Sequence, residues 1–483
     1  MSDLFININQ VLPRIPGKVF SKPFNFQIKQ GQCWTFYGKN GSGKTLLSEI
    51  ICGRYGLKSG VIEYPFIDEI RKTVSEYIYP RQYIKTVGFQ STYSMSDFRD
   101  AYYQQRFNSQ EVDWYPTVAE LLSAFDDKQW LNELIDLMNL KDLLNHRLIT
   151  LSSGQLRRLL ITKALLEKPR MLIFDNPFIG LDVETRELMN IVFEKLMKNG
   201  VQILFLIPVL RDIPACTTHV LYLDNCSPIF QGKYSDFKNV VPSESVVIEK
   251  KFDFSKLSLL MHLEYQNVVK MEELDINYET IVYQKGINWT IKKGEKWALS
   301  GPNGSGKSTL LSYIFADNPQ AYGKPLYLFD KKRGSGESIW DIKKRIGFTS
   351  SEMHLYYLEN VPCISVVESG FFDSIGLFRK CSPSQAALAE SLMDYLGLSE
   401  LKNVSFLNVS SGEQRLLLFA RALVKNPELL ILDEPFHGLD YGKKQLCLSM
   451  INDYAIQAEK TLIFVTHYKE EIPACVTNIK RLS

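Results

Sequence analysis

The clearest feature in the pattern of hydrophobic and polar residues is a pair of short apolar runs, each of which ends in an acidic residue. They are Met171–Asp175 (MLIFD) and Leu429–Asp433 (LLILD). A continuous apolar run that ends in an acid predicts a central strand of an α/β sheet, buried on both faces. Apolar residues at helical spacing precede each run. They are Leu156, Leu159, Leu160 and Leu165 before the first run, and Leu416, Phe419, Ala420 and Leu423 before the second. The pattern therefore predicts a helix followed by a buried strand, twice.

The same order of elements precedes both helices. A β-rich stretch ends in a strand, predicted over Cys33–Tyr37 in the first half and Lys296–Ser300 in the second. Each strand leads into a glycine-rich loop and a helix. A region of helical periodicity follows, for example over Thr117–Leu140 and Ser384–Leu396. This alternation of strands and helices is typical of an α/β fold.

Four motifs recur in one order, which indicates that the two halves are copies of one domain. GKNGSGKT, LSSGQLR, MLIFDNPFIGLD and IPAC return as GPNGSGKS, VSSGEQR, LLILDEPFHGLD and IPAC, between 258 and 263 residues later. Repetition at a nearly constant distance is the mark of duplicated units. We expect a first domain over residues 1–240, a linker at 241–262 and a second domain over 263–483.

Composition and charge limit the class of protein. The chain has 56 Lys and Arg against 54 Asp and Glu, a formal net charge of +2. Binding of nucleic acid by counterion release usually needs a cationic surplus, so nucleic acid is not indicated as a partner. The basic triplets Lys331–Arg333 and Lys343–Arg345 are interpreted as solvated charges. The eight cysteines form no Cys-x-x-Cys pair, which excludes the usual zinc-ribbon spacings.

The sequence has no segment typical of a secretion signal or of a membrane span. The N-terminus lacks a basic flank followed by an apolar region, and the longest apolar stretch, Ile203–Leu210, is interrupted by Pro208. We therefore expect a cytoplasmic protein without a transmembrane segment of its own. It would lie at the inner face of the cell membrane only if a separate permease or other protein partner held it there.

The recurring glycine-rich loop has the G-x-x-x-x-G-K-[ST] pattern of a phosphate-binding loop. Its glycines let backbone N–H groups turn inward around an anion, and the following helix adds the positive end of its dipole. Lys44 and Lys307 would reach the β- and γ-phosphates of ATP, and Thr45 and Ser308 would offer a hydroxyl to Mg²⁺. The residues predicted to bind ATP here are Gly38, Asn40, Gly41, Ser42, Gly43, Lys44 and Thr45, with Gly301, Asn303, Gly304, Ser305, Gly306, Lys307, Ser308 and Thr309.

The acidic residues at the ends of the two apolar runs suit the same chemistry. Asp175 and Asp433 fit the role of holding the coordination shell of Mg²⁺. Glu434 follows directly and can act as the general base for the attacking water, although an acid at this position can also have a purely structural role. The sequence thus predicts ATP and Mg²⁺ as ligands.

A Ser-Ser-Gly segment begins the helix in front of each acid-terminated strand. A hydroxyl cap, bare backbone N–H groups and the positive end of a helix dipole suit a γ-phosphate. Alone, the segment would be only a helix cap, but in both halves it lies about 20 residues before the strand, which favours contact with nucleotide. The residues concerned are Ser153, Gly154, Gln155, Ser411, Gly412 and Glu413.

With these motifs in this order, nearly the whole chain resembles the ATP-binding cassette (ABC) ATPases. The resemblance implies an α/β fold of two P-loop NTPase domains, each with an α/β core sheet, an antiparallel β subdomain and a helical subdomain. It also implies that each ATP is sandwiched between the phosphate loop of one cassette and the Ser-Ser-Gly signature of the other. The further residues that it assigns to the site are Asp182 and Asp440 in the interface loops, His467 as the switch histidine at the γ-phosphate, and Tyr278 stacked on adenine.

Longer runs in the second half resemble one group of tandem cassettes, the ModF-type proteins, which are named molybdenum-transport ATP-binding or photorepair proteins. The runs are Lys331–Leu355, Ala422–Asp440 and the final IPAC. This resemblance implies the ATPase component, or a regulator, of molybdate-type ABC transport. The alternative is a soluble ABC ATPase that acts on ribosomes or nucleic acid, and the short linker without a long charged helical arm argues against it.

The first copy departs from the family pattern at two catalytic positions. Asn176 stands where the second copy has Glu434, and Pro208 aligns with His467. Asn cannot accept a proton and Pro offers no side-chain hydrogen bond, so we expect hydrolysis at the second cassette and slow turnover at the first. The alternative, that the loss is partly compensated and both sites work, stays open.

The glutamine that the family places in contact with Mg²⁺ is missing from both copies. The expected positions are occupied by Thr92 and Ser351. Gln90 lies two residues early and could substitute in the first copy, whereas the second has only Ser350 and Ser351. This departure weakens the case for a dedicated transport motor.

Overall fold

The computed structural model describes residues 3–15, 20, 22–72, 78–88, 116–148, 151, 153–178, 181, 183–240, 251–254, 264–278, 281–302, 305–350, 353–354, 357, 359–457 and 459–482. These residues form two compact units, one within Met1–Arg99 and Pro116–Glu244, the other within Ser245–Ser483. Most of the expected linker, 241–262, lies outside the described residues, so its bounds stay a prediction.

The first unit alternates strands and helices along the chain. Its strands are β1 (Leu4–Pro13), β2 (Phe24–Lys29), β3 (Trp34–Tyr37), β4 (Leu57–Glu63), β5 (Ile84–Val87), β6 (Met171–Asp175), β7 (Gln202–Ile207), β8 (His219–Asp224) and β9 (Ser227–Lys233). Its α-helices are α1 (Lys44–Ile51), α2 (Pro65–Arg71), α3 (Pro80–Tyr83), α4 (Val118–Ser123), α5 (Lys128–Leu137), α6 (Ser153–Leu166), α7 (Val183–Lys198) and α8 (Tyr234–Phe237). Short 3-10 helices cover Lys141–Leu143 and Leu210–Asp212.

Two sheets build the first unit. A small antiparallel sheet has the order β2-β1-β4, and in β2 buried and exposed residues alternate, as expected when only one face is covered. The core sheet has the order β5-β6-β7-β3-β8-β9 and is parallel except for β9. Its strands β6 and β7 are apolar throughout their middle and buried, which explains why their residues do not alternate.

The second unit repeats this plan. Its strands are β10 (Asn267–Tyr278), β11 (Ile281–Lys292), β12 (Lys296–Ser300), β13 (Leu326–Leu328), β14 (Lys331–Lys332), β15 (Ile346–Ser350), β16 (Leu429–Asp433), β17 (Thr461–Val465) and β18 (Asn478–Arg481). Its α-helices are α9 (Lys307–Ile314), α10 (Ile339–Lys343), α11 (Cys363–Glu368), α12 (Pro383–Tyr395), α13 (Ser411–Leu423) and α14 (Tyr441–Ile456). Short 3-10 helices cover Pro319–Ala321, Ser369–Phe371, Ser399–Leu401, Phe406–Asn408 and Lys469–Glu471.

The core sheets of the two units share one strand order. The second sheet runs β15-β16-β17-β12-β18 and is parallel, which matches β5-β6-β7-β3-β8 strand for strand. An antiparallel sheet, β11-β10-β13-β14, accompanies it, and α11, α12 and α13 pack together as a helical part. The predicted fold class, an α/β core sheet with an antiparallel β part and a helical part in each copy, is confirmed.

The apolar positions that define the two predicted helix–strand pairs lie in the cores. All eight predicted helix positions are buried, and so are the apolar residues of β6 and β16. The strand predicted over Cys33–Tyr37 begins one residue later. The helical region predicted over Thr117–Leu140 contains α4 and α5, and the 3-10 helix Lys141–Leu143 follows it. No helix in the described ranges is both long and apolar enough to cross a membrane.

The interpretation of the basic triplets as solvated charges is wrong for half of their residues. Arg333 and Lys343 are buried, and each forms an ion pair, with Glu337 and Asp317 respectively. Arg345 is only partly exposed and pairs with Glu428. Lys331, Lys332 and Lys344 face solvent as expected. A pattern of basic residues cannot predict this burial. The acidic partners of Lys343 and Arg345 are distant in sequence, and the partner of Arg333 lies in the turn that follows it.

Candidate functional site

A glycine-rich loop connects the central strand of each core sheet to a helix. In the first unit the loop joins β3 to α1, and in the second it joins β12 to α9. The glycine before each helix, Gly43 or Gly306, has a φ of 97° or 85°, in the left-handed region that glycine adopts without steric cost. Each helix therefore starts abruptly, with the backbone N–H groups of its first turn directed at the loop.

The lysine of each loop folds back over the loop that carries it. Lys44 Nζ donates hydrogen bonds to the carbonyl oxygens of Gly38 (2.6 Å) and Lys39 (2.8 Å), and its side chain is buried. Lys307 Nζ makes the equivalent bonds, both 2.8 Å, to the carbonyls of Gly301 and Pro302. The positive charge is thus held at the mouth of each loop, where a phosphate group would lie.

The second loop has the features of a phosphate cradle. Ser305 Oγ is buried and has no hydrogen-bond partner in the part of the chain that the structure describes. A Cβ atom on Gly301 would come within 2.8 Å of that oxygen, so the loop tolerates only glycine at its first position. A buried hydroxyl without a partner among the described residues and a position that has no room for a side chain fit a loop that surrounds the β- and γ-phosphates of a nucleotide. Thr309 is partly exposed on α9, whereas Asn303 and Gly304 lie outside the described residues.

The first loop carries the same set of residues. Ser42 is buried, Gly41 is exposed, and Asn40 is partly exposed. Ser42 Oγ accepts a hydrogen bond of 3.4 Å from Lys44 Nζ. The predicted phosphate-contacting residues of this loop are therefore all within the described chain and lie together from the end of β3 to the first turn of α1.

Each unit has a hydroxyl and a carboxylate that could hold Mg²⁺, and in the first unit the two are in contact. In the first unit Thr45 Oγ1 donates to Asp175 Oδ2 across 3.4 Å. Burial raises the pKa of Asp175, and the Lys44 ammonium offsets part of this effect. In the second unit Ser308 is partly exposed at the start of α9, and Asp433 is buried at the end of β16. Oxygen donors of this kind suit Mg²⁺.

The residue after the aspartate that ends β6 or β16 (the Walker B aspartate) has the same backbone conformation in both units. Asn176 and Glu434 both have a φ of 51°, a left-handed conformation that is uncommon for residues other than glycine. Their N–H groups donate to the neighbouring strand, Asn176 to Leu206 (3.1 Å) and Glu434 to Val465 (3.0 Å). The two side chains thus start from equivalent positions, and only their chemistry differs.

The Glu434 carboxylate lies between two imidazoles. His467 Nε2 is 2.8 Å from Oε1 and His437 Nδ1 is 2.9 Å from Oε2. Both distances place an imidazole nitrogen in direct contact with a carboxylate oxygen. Burial alone would raise the pKa of Glu434, but the two histidines hold it well below its usual range. A carboxylate must be ionised to orient an attacking water and accept its proton, and Glu434 meets this condition.

Asn176 faces a different environment in the first unit. Its side-chain Nδ2 donates to Asp175 Oδ1 across 3.1 Å, so the amide is directed to the Walker B carboxylate. Its backbone carbonyl accepts a hydrogen bond of 2.6 Å from Arg157, a residue of α6. Burial lowers the pKa of Arg157 to about 10. Pro208, which aligns with His467, follows β7 and contributes no polar side chain.

The Ser-Ser-Gly segments begin α6 and α13, as predicted. The second is closed by a capping box, in which the Ser410 N–H donates to Glu413 Oε2 (2.8 Å) and Ser410 Oγ accepts from the Glu413 N–H (3.4 Å). The Glu413 side chain is thus bound within its own helix start. Ser411 and Gln155 are partly exposed, whereas Gly154 and Gly412 are buried. The side chain of Ser153 lies outside the described residues.

Three predicted contacts that depend on the family resemblance remain predictions. Asp440 is buried and its Oδ1 accepts the Lys443 N–H (3.0 Å), so it caps α14. Tyr278 ends β10, but its side chain lies outside the described residues, as does Asp182. The Mg²⁺-contacting glutamine cannot be placed either, because Gln90, Thr92 and Ser351 are outside them too, whereas Ser350 ends β15.

Sequence reasoning missed His437. Comparison of the two copies could have found it, because DEPFHGLD and DNPFIGLD differ at only two positions, the catalytic one and this one. It also missed the buried His354, whose Nε2 lies 2.7 Å from Gln414 Oε1 and whose pKa burial lowers to about 3. Both belong to the surroundings of Glu434, where a small cavity is lined by Thr349, Ser350, His354, Arg415, Leu418, Phe419, Glu434 and Pro435.

The strand order, the phosphate loops and the acid-terminated strands define a class of protein, the tandem P-loop nucleotide-binding cassettes. The family described as ABC transporter matches residues 21–179 and 284–437, one cassette in each half of the chain. The chain therefore belongs to the ABC transporter family and carries two copies of its ABC ATPase domain.

Relatives with the same tandem arrangement cover nearly the full chain. The ABC transporter ATP-binding protein ModF of Escherichia coli (strain K12) is 32% identical over 93% of this chain and 91% of its own length. An ABC transporter ATP-binding protein of Schizosaccharomyces pombe is 31% identical over 94% of this chain and 93% of its own. The resemblance to ModF-type tandem cassettes is thus confirmed.

A solved structure supports the fold. The structure of ribosome-bound archaeal Pelota and ABCE1 contains a chain that matches 96% of this chain and 74% of its own length, with a TM-score of 0.59. The sequence identity is 20%, so this likeness concerns the fold alone.

Proposed function

We propose that the second cassette hydrolyses ATP, whereas the first binds ATP and turns it over slowly. The observation that carries this proposal is the difference between two equivalent positions. Glu434 is an ionised carboxylate between two histidines, and Asn176 is an amide that donates to Asp175. Both cassettes keep the phosphate loop and its lysine, so both retain the means to bind nucleotide.

In the second cassette each part of the hydrolytic reaction has a residue suited to it. Lys307 would neutralise charge on the β- and γ-phosphates, and Ser308 and Asp433 would hold Mg²⁺, which stabilises the charge that develops on the phosphates. Glu434 would orient the attacking water and accept its proton. His467 would contact the γ-phosphate, as the family resemblance implies.

In the first cassette the general base is missing. The Asn176 amide carries no charge and uses its N–H on Asp175, so it cannot take up a proton from water. Loss of a general base typically lowers a rate by about 10²–10⁴-fold. The first cassette would then serve mainly to bind nucleotide.

The test compares Glu434→Gln with Asn176→Ala in the full chain. Phosphate release at saturating ATP and Mg²⁺ should fall by about 10²–10⁴-fold in Glu434→Gln and stay close to that of the unmodified protein in Asn176→Ala. Binding of a fluorescent ATP analogue should persist in both. The proposal fails if Asn176→Ala abolishes turnover and Glu434→Gln does not.

We further propose that this ATPase energises or regulates transport through a separate membrane protein. The proposal is supported by the full-length similarity to a protein named as an ABC transporter ATP-binding protein. Tagged Glu434→Gln protein, isolated with ATP under conditions that retain membrane proteins, should then co-purify with a permease. Recovery of ribosomes or nucleic acid instead would favour the alternative of a non-transport ABC ATPase.

A further inference from the structure

We infer that His437 is a positioning residue for the general base: it holds one oxygen of the Glu434 carboxylate and leaves the other free to accept the proton of water. This inference rests on the proposed hydrolysis at the second cassette. His437 lies in the segment between β16 and α14, three residues after Glu434, and its N–H donates to the Glu434 carbonyl (3.4 Å). This turn brings the imidazole back onto the carboxylate.

The two histidines have different tasks because they contact different oxygens. His467 Nε2 lies against Oε1, and in the proposed reaction it is the group that contacts the γ-phosphate. One ring nitrogen cannot face both the carboxylate and a phosphate. When His467 turns to the phosphate, Oε1 becomes available to water, and His437 Nδ1 on Oε2 is the remaining imidazole contact. That contact would keep the carboxylate correctly oriented.

Burial makes the contact effective. The His437 and Glu434 side chains are only 5% and 11% exposed. Solvent screening is weak at such sites, so an imidazole 2.9 Å from a carboxylate oxygen interacts with it strongly. An exposed ion pair of the same length would have little effect.

The first copy of the domain indicates that His437 is not needed for folding. Its DNPFIGLD keeps the Pro-Phe and Gly-Leu-Asp of DEPFHGLD but has Ile179 at the matching position. The three positions Glu434, His437 and His467 are thus replaced together, by Asn, Ile and Pro. A histidine required for the turn itself would be expected in both copies, whereas one that serves the carboxylate loses its purpose when the carboxylate is absent.

The experiment measures kcat and KM for ATP in three variants of the full chain. His437→Ile, the residue of the other copy, should lower kcat by about 10–100-fold with little change in KM, because it removes a contact to the base and not to the nucleotide. His437→Asn places an amide N–H near the position of Nδ1 and should restore much of kcat. His437→Gln, whose amide reaches the position of Nε2 instead, should not.

Two further measurements separate this inference from the proposed function. In a Glu434→Gln background, His437→Ile should cause no additional loss, since both changes act through one group. If Glu434→Gln itself retains activity, the proposed function is wrong. If Glu434→Gln is inactive but His437→Ile keeps the original kcat, or if Asn and Gln at position 437 behave alike, only the role of His437 is refuted. Should His437→Ile fold poorly, the Asn and Gln pair decides alone.

Discussion

Replacing Asn176 by Glu, together with Ile179→His and Pro208→His, should convert the slow first cassette into a hydrolytic one. The backbone already matches, because Asn176 and Glu434 have the same φ of 51° and donate their N–H groups to the adjacent strand at 3.1 and 3.0 Å. A glutamate introduced at position 176 would therefore start in the direction that Glu434 takes.

The size of the effect depends on the accompanying histidines. Asn176→Glu alone removes the hydrogen bond from Nδ2 to Asp175 Oδ1, and a hydrogen bond to a charged group contributes about 1.5–3 kcal/mol. It also places a second carboxylate beside Asp175, whose pKa is already raised by burial. The single variant should therefore destabilise the first unit by about 1–3 kcal/mol, and its new carboxyl should be protonated too readily to act as a base.

The assay uses a Glu434→Gln background, in which the second cassette is silent. Phosphate release per chain should rise about 10²–10⁴-fold over this background in the triple variant, and much less in Asn176→Glu alone. Chemical denaturation should show a lower free energy of unfolding for the single variant and a partial recovery of that free energy in the triple variant. Equal activity of the single and triple variants would refute the requirement for the imidazoles. An inactive triple variant that still binds nucleotide would refute the view that the missing base explains the slow site.

Two further predictions concern the second unit. Arg345→Met should lower its free energy of unfolding by about 3–5 kcal/mol. Arg345 Nε and Nη2 each donate to Glu428 at 2.7 Å, so the variant leaves the buried Glu428 carboxylate without its guanidinium partner. Chemical denaturation measures this loss, and Lys344→Met, at an exposed position, is the control. Equal losses of unfolding free energy in the two variants would contradict the reasoning. His354 is neutral when folded, with a pKa of about 3, and takes up a proton near pH 6.5 when unfolded. The unfolded state thus binds more protons below pH 6.5, so the free energy of unfolding should fall as the pH drops from there. His354→Asn should make this decline between pH 7.5 and 5 shallower, and an unchanged slope of the free energy of unfolding against pH would refute this assignment.

Much of the fold followed from local patterns. The apolar runs that became β6 and β16 are buried on both faces, and such strands carry their signal in consecutive residues. The phosphate loops were equally clear, since only glycine fits the backbone at positions such as Gly43 and Gly306. The helix starts at Ser153 and Ser411 followed from their capping residues.

The charge pattern failed where pairs form between distant residues. Arg345 and Glu428 are 83 positions apart, and they meet because β15 and β16 are neighbours in the sheet. Lys343 is likewise buried against Asp317, which precedes it by 26 positions. A triplet of basic residues by itself contains no information about such partners, so solvent exposure was the default interpretation.

By itself, the sequence determined that the chain holds two nucleotide-binding cassettes and that the first lacks the glutamate and histidine of the second, because these properties are carried by residue types at fixed spacing. Only the tertiary structure decided what surrounds Glu434. β16 and β17 are adjacent and parallel, so their ends bring His467 to one carboxylate oxygen, and the turn after β16 brings His437 to the other. The position of two imidazoles around this carboxylate depends on strand pairing and on the path of a turn, which spacing along the chain does not specify.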